Sequence, residues 1–249
     1  MIEKTINYIW LGGKPEPPIL RKCKKSWKKH CPDYKIVRWD ETNLNINEIP
    51  YTRQAYEAKK YAFVSDYFRF KILHEYGGIY LDVDVKLLKT LDMFLDNEFF
   101  TGFEKGDNIA IAPGLISGAV KQSKIVSEIV KSYQHDNFVL PDGSLDLTTV
   151  CERTTNILKQ FGLIEKDITQ RGEGWTVFAS EYFCPMSYDK LEKRITKNTH
   201  SIHLYYASWV KKTFKSRIKW LIKKIIGRKK YLSISNKRQK KKDEKCRKY

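Results

Sequence analysis

The chain lacks long apolar runs. No window approaches about 18 uninterrupted apolar residues, so no helix is expected to span a bilayer. No cleaved leader is expected either: the opening MIEKTINYIW carries an acid and alternates polar with apolar residues, without the apolar stretch of a signal peptide. The five cysteines, Cys23, Cys31, Cys151, Cys184 and Cys246, are odd in number and include no C-x-x-C pair. Reduced, structural thiols and a cytosolic compartment are expected. His30 beside Cys31, with Cys23 nearby, matches no zinc spacing. There is no internal repeat and no clean linker before about Val210. The last segment is short of acid: residues 211–249 hold 18 basic and 2 acidic residues, against 29 and 27 in the first 210. Of the net charge of +18, the tail therefore carries +16 and the body +2. Charge confined in this way argues against a basic groove spread over a nucleic-acid-binding domain, and for a neutral body with a cationic attachment segment.

With 249 residues, 41% of them apolar, the chain can bury one sizeable core and a small appendage. Thr5 to Trp10 alternates as a strand and stops at Gly12-Gly13 and the Pro15 to Pro18 cluster. Ile19 to His30 reads as a basic amphipathic helix and Tyr34 to Trp39 as a second strand. Thr52 to Tyr76 is the longest helical pattern, ending at Gly77-Gly78, where a positive φ costs least. A strand from Ile79 to Val85 follows. Strands alternating with helices imply an α/β fold with a largely parallel sheet and its active groups at the strands' carboxyl ends. Phe99 to Gly102, Ile109 to Ala112, Val177-Phe178 and Ile202 to Tyr205 supply further strands.

Asp82 and Asp84 flank Val83, and in a strand of period 2 both carboxylates project from one face. Two such groups side by side need water or a cation, and a hard divalent ion such as Mn²⁺ or Mg²⁺ satisfies them through oxygen ligands. The alternative is a solvent-facing acidic strand end. Upstream, Asp66 and Arg69 lie at i and i+3 and share a helix face.

The unbroken run from Ser65-Asp66 through Arg69, Gly77-Gly78 and Tyr80 to Asp82-Val83-Asp84 resembles the sugar-binding region of glycosyltransferase family 32, which contains a D-x-D motif, and more distantly the glucosylating domains of large clostridial toxins. Ile9-Trp10 with Gly12-Gly13, and His203 with Ser208-Trp209, extend the resemblance to both ends of the first 210 residues. It implies a GT-A nucleotide-sugar-binding fold over residues 1–210, followed by a tail at 211–249. It also implies that Asp66 and Arg69 hold donor-sugar hydroxyls with Ser65 in the same donor site, that Tyr80 and Asp82 lie near the sugar and ribose, and that Asp66, Arg69, Asp82 and Asp84 are the catalytic residues. Trp10 would stack on the base, Asp84 would ligate the metal with His203 completing its shell, and Ser208-Trp209 would close over the diphosphate. Family members retain anomeric configuration, and no carboxylate here stands out as a nucleophile, which favours a front-face route. Two departures concern the acceptor side. Many relatives carry Asn before the glycine in Ile111-Ala-Pro113-Gly114-Leu115, and Gly-Pro at Val150-Cys151. Asp107, Asn108, Asp142 and Asp146 are further candidates for the acceptor cleft.

In the tail, Phe214, Ile218, Leu221, Ile222 and Ile225 form one apolar stripe among Lys and Arg, with Trp220 at its margin. Such a helix reads as attachment to an anionic membrane surface. The expected protein is a peripheral enzyme on the cytoplasmic face of the plasma membrane. It would pass a sugar from a nucleotide-sugar donor to a glycan or lipid-linked oligosaccharide, as in bacterial capsule or O-antigen synthesis. The rivals are a basic nucleic-acid-binding protein and a metal-dependent phosphohydrolase using Asp82 and Asp84.

Overall fold

A computed structural model describes residues 1–106, 109–187 and 193–206. The body's last residues, including Ser208 and Trp209, lie outside these, as do Asp107, Asn108 and the whole tail. The elements run β1 (Thr5–Ile9), α1 (Pro18–His30), β2 (Lys35–Trp39), α2 (Pro50–Glu57), α3 (Tyr61–Tyr76), β3 (Gly78–Tyr80), β4 (Val85–Leu87), β5 (Phe99–Gly102), β6 (Ser117–Ala119), α4 (Lys124–Lys131), α5 (Val150–Gln160), β7 (Gln170–Gly172), β8 (Trp175–Phe178), α6 (Ser180–Phe183) and β9 (Ser201–His203).

Seven strands form one sheet in the order β2-β1-β3-β6-β5-β8-β7, and β4 pairs with β9 in a second, two-stranded sheet. In the large sheet β1 is parallel to β2 and β3, and β5 is parallel to β8; β6 runs against β3 and β5, and β7 against β8. All but β6 and β7 therefore point the same way. This is the α/β architecture with a largely parallel sheet that the sequence implied. The described residues contain no helix long and apolar enough to cross a membrane.

Each face of the sheet has its own core. Ile6, Tyr8 and Ile79 pack with Leu20, Cys23 and Trp27 of α1, whereas Tyr80 belongs with Tyr67, Phe68 and Phe70 of α3 on the opposite side. Alternation along β3 thus sends Tyr80 toward α3. Helix α3 is buried nearly all round, with Val64, Asp66, Tyr67, Phe68, Arg69, Phe70, Ile72 and Leu73 enclosed. It lies between the sheet and helices α2, α4 and α5. Helix α1 is tied to β4: the Trp27 indole N–H donates to the Val85 carbonyl at 2.8 Å, and the Leu87 N–H donates to Ser26 Oγ at 3.0 Å.

Several expectations are corrected. The helix expected from Thr52 to Tyr76 is two helices, α2 and α3, separated at Lys59, whose φ is +57°. The strand expected from Ile79 to Val85 stops at Tyr80, and a turn carries the chain into the second sheet at Val85. The D-x-D pair occupies that turn, so period-2 alternation does not set its geometry. Ile109 to Ala112 forms only an isolated bridge from Ile111 to Phe103. Gly77 and Gly78 both have positive φ, and a Cβ on Gly78 would lie 2.8 Å from the Thr5 carbonyl, so glycine there lets β3 lie against β1.

Candidate active site

The turn after β3 is held from three sides. Leu81 N–H donates to the Asn7 carbonyl, Asp82 N–H to the Gly114 carbonyl and Val85 N–H to the Asp82 carbonyl, each at 3.0 Å. The two carboxylates leave it in different directions. Asp82 turns toward α3, where its Oδ1 accepts from the Tyr80 hydroxyl at 2.9 Å and lies 3.6 Å from Arg69 Nη1. Asp84 turns toward β9. Its Oδ1 is 3.0 Å from His203 Nε2, and its Oδ2 accepts the Tyr206 N–H at 2.7 Å.

Asp66 and Arg69 form a buried pair, only 8% and 4% exposed, and not the surface pair that spacing alone would suggest. Arg69 Nη2 donates to Asp66 Oδ1 at 2.7 Å and Nε to the Ser65 carbonyl at 3.2 Å, and the guanidinium sits 5.0 Å from the centre of the Tyr80 ring. Burial raises the Asp66 carboxyl to about 6; the Arg69 charge opposes this and the Asp82 charge adds to it. For Asp84 burial pushes the same way, but the hydrogen bond and charge of His203 and the Tyr206 amide outweigh it and hold the carboxyl below its ordinary value. His203 is shifted upward: burial would lower it, and the Asp84 hydrogen bond and charge prevail.

Asp82, Asp84 and His203 each offer a ligand atom, and these atoms lie within 4.8 Å of one another. His203 Nδ1 is buried and has no hydrogen-bond partner among the described residues. Two carboxylate oxygens and an imidazole nitrogen fit a hard or borderline divalent ion with room for phosphate oxygens.

The structure thus brings Ser65, Asp66, Arg69, Tyr80 and Asp82 into one connected group, and Asp84 and His203 into another beside it. Trp10 lies just beyond the carboxyl end of β1, on the same sheet edge, its indole N–H donating to the Lys14 carbonyl at 2.6 Å. Asp142 and Asp146 are engaged elsewhere: Asp142 accepts from Ser144 within a turn, and Asp146 accepts from Thr148 N–H and lies 3.7 Å from Arg153.

Both segments assigned from sequence to the acceptor side reach the Asp66–Arg69–Asp82 group. The Val150 N–H, at the start of α5, faces the Asp66 carboxylate and acts against the rise in its pKa. The Cys151 thiol is pushed up to about 12 by burial, next by the charge of Glu104 and then of Asp66. Gly114 is the clearest residue that sequence reasoning missed. A Cβ there would lie 2.1 Å from Asp82 Oδ2 and 2.9 Å from Arg69 Nη1. Its signal was only a glycine in a loop. Gly114→Ala is expected to displace Asp82, costing about 1 to 3 kcal/mol of stability and at least tenfold in donor turnover; calorimetry and donor hydrolysis check both.

Residues 17–101 match the family model described as "Glycosyltransferase sugar-binding region containing DXD motif". That stretch is similar to the sugar-binding region of the DXD glycosyltransferases. This DXD region spans α1 through β5 and contains Asp66, Arg69, Asp82 and Asp84. An uncharacterized glycosyltransferase, L373, of Acanthamoeba polyphaga mimivirus is 35% identical over 115 residues, covering 44% of this chain and 46% of the relative. Inositol phosphoceramide mannosyltransferase 3 of Schizosaccharomyces pombe is 37% identical over 99 residues, 38% of this chain and 27% of the relative. The chain thus spans less than half the length of these curated relatives. Among solved structures, a glycosyltransferase involved in the glycosylation of the major capsid of PBCV-1 aligns over 82% of this chain and 94% of its own, with 16% identity and a TM-score of 0.46.

Proposed function

We propose that the protein is a metal-dependent glycosyltransferase that moves a sugar from a nucleotide-sugar donor to a hydroxyl of a glycan acceptor. The observation that carries this reading is the adjacency of the buried Asp66–Arg69 pair, inside the stretch that matches a DXD sugar-binding region, to the Asp82–Asp84–His203 ligand set, whose histidine comes from β9 outside that stretch. Asp84 and His203, with Asp82 beside them, would hold a divalent ion, whose charge would offset the negative charge that builds on a departing nucleoside diphosphate. Asp66 and Arg69 present a fixed acceptor and a fixed donor to sugar hydroxyls, and their mutual bond orients both before the donor arrives. Tyr80 holds Asp82 through its hydroxyl and carries the Arg69 guanidinium on its ring. By the family resemblance Trp10 meets the nucleotide base and Ser208 and Trp209 close over the diphosphate; the last two lie outside the described residues.

The reaction retains anomeric configuration by a front-face route, in line with the family resemblance. The acceptor is a lipid-linked oligosaccharide at the cytoplasmic leaflet, in a capsule or O-antigen type of surface polysaccharide synthesis, and the cationic tail attaches the enzyme there. A relative named for mannosylating a phosphoceramide supports both a lipid-borne acceptor and a mannosyl donor as the first to try.

The test is a panel of nucleotide sugars offered with and without Mn²⁺ or Mg²⁺. One donor is expected to raise the melting temperature and release its sugar only when metal is present, with EDTA abolishing both effects. Metal-dependent phosphate release from simple phosphate esters, with no nucleotide sugar stabilising the protein, would favour the phosphohydrolase instead.

A further inference from the structure

We propose that the outer face of α1, continued by Lys86 of β4, is a docking ridge for an anionic bilayer surface. Helix α1 carries Arg21, Lys22, Lys24, Lys25, Lys28 and Lys29 and no acidic residue. Each residue turns the helix by about 100°, so Leu20, Cys23, Ser26 and Trp27 fall together on the buried side. Arg21, Lys22, Lys25, Lys28 and Lys29 fall within an outward arc of about 120°, and all five are exposed.

Their charge is not cancelled locally. Lys24, at the edge of the arc, is held by Glu16 at 3.0 Å. Asp33 and Asp92, near the helix's far end, are both taken by Lys4, at 2.5 and 3.2 Å. Among the described residues, none of the five arc residues forms an ion pair, and neither does exposed Lys86. His30 registers the resulting field: beyond burial, Lys29 and Lys86 both push its pKa down. The net charge of the body hides this ridge because the balancing acids lie elsewhere on the molecule.

The chemistry of the ridge favours a bilayer over a nucleic acid. Four of the five arc residues are lysines, which act as hydrated point charges and lack the arginine fork that grips single phosphates. Trp27, the one Phe, Tyr or Trp of α1, is buried, so the ridge offers no such ring for base stacking. The ridge also adjoins the place where the chain continues. Lys86 pairs with Ile202 of β9, and the described chain ends at Tyr206, with 43 residues following, among them the cationic tail. The choice of a bilayer as partner rests on the membrane reading above, whereas the surface itself belongs to the folded body.

The experiment is vesicle co-sedimentation of the full-length protein on phosphatidylcholine vesicles with and without phosphatidylglycerol. A ridge variant, Arg21→Gln/Lys25→Gln/Lys28→Gln, and a tail variant, Lys223→Gln/Lys224→Gln/Arg228→Gln, are compared with the wild type. Each cation at an anionic surface contributes roughly fivefold in affinity, so the ridge variant is expected to bind the anionic vesicles more than tenfold more weakly. Its melting temperature should be unchanged, and high salt should abolish the difference. Undiminished binding by the ridge variant overturns the proposal even where the tail variant is released. Loss in the ridge variant alone upholds the ridge and removes the tail as anchor. Wild-type protein that ignores phosphatidylglycerol removes the bilayer as partner altogether. Binding to single-stranded RNA tighter than to vesicles, and lost in the ridge variant, assigns the ridge to nucleic acid and overturns the bilayer proposal.

Discussion

Asp84→Asn is expected to lower sugar release from the nucleotide-sugar donor by about a thousandfold, roughly 4 kcal/mol of barrier, and to abolish stabilisation by donor plus metal. Asp84 is 3% exposed and spends one oxygen on His203 and the other on the Tyr206 amide. Asparagine keeps the size and can still accept the Tyr206 N–H, but it brings no negative charge to the proposed metal site. Asp84→Ala should lose the same activity for a different structural cost. It strands His203 Nε2, at about 1 to 3 kcal/mol for a buried group left without its partner. The two variants should therefore match in turnover and differ in melting temperature. Wild-type turnover in Asp84→Asn would take this residue out of the metal site.

Arg69→Lys is expected to cut use of the intact nucleotide sugar by about a hundredfold, roughly 2.7 kcal/mol, while affinity for the free nucleoside diphosphate stays near wild type. Arg69 reaches Asp66 with Nη2, approaches Asp82 with Nη1 and bonds the Ser65 carbonyl through Nε. A lysine ammonium is a single point charge and cannot span these partners. Arg69→Met goes further and leaves buried Asp66 and Asp82 facing each other uncompensated, at about 3 to 5 kcal/mol of stability.

The pH dependence follows from Asp66, raised to about 6 chiefly by burial, with Arg69 opposing and Asp82 reinforcing. If the ionised carboxylate receives the sugar hydroxyl, donor use should fall as pH drops through about 6, and Arg69→Met should move that acid limb upward. The stability sign is the reverse. A carboxyl that keeps its proton longer in the folded state contributes fully below its unfolded pKa, and that contribution is lost as pH rises through about 6. Equal loss of nucleotide-sugar and nucleoside-diphosphate binding in Arg69→Lys would place the pair outside the sugar pocket.

Much of the fold was legible because it is written in local pattern. The Pro-initiated helix α1, the strands β1 and β2 and the glycine stop after Tyr76 each follow from a period or a φ requirement that neighbouring residues set by themselves. The run from Ser65 to Asp84 marked a DXD region for the same reason, since its motif is contiguous. Local pattern failed where the chain changes partners. The D-x-D segment reads as one continuous strand, but its two halves pair in different sheets, and the turn between them aims Asp82 at α3 and Asp84 at β9.

The sequence by itself determined the α/β class, the DXD region and the concentration of positive charge beyond residue 210, because these depend on composition and on residues close together in the chain. Only the tertiary structure decided that Asp66 and Arg69 form a buried pair, since their enclosure comes from Tyr80 of β3, from Asp82 in the turn that follows it and from the start of α5. It alone brought Gly114 against Asp82, a contact set by the close approach of two loops. It also showed that a body of net charge +2 carries a one-sided basic helix, because charges that cancel in a sum remain separate when folding fixes them on different faces.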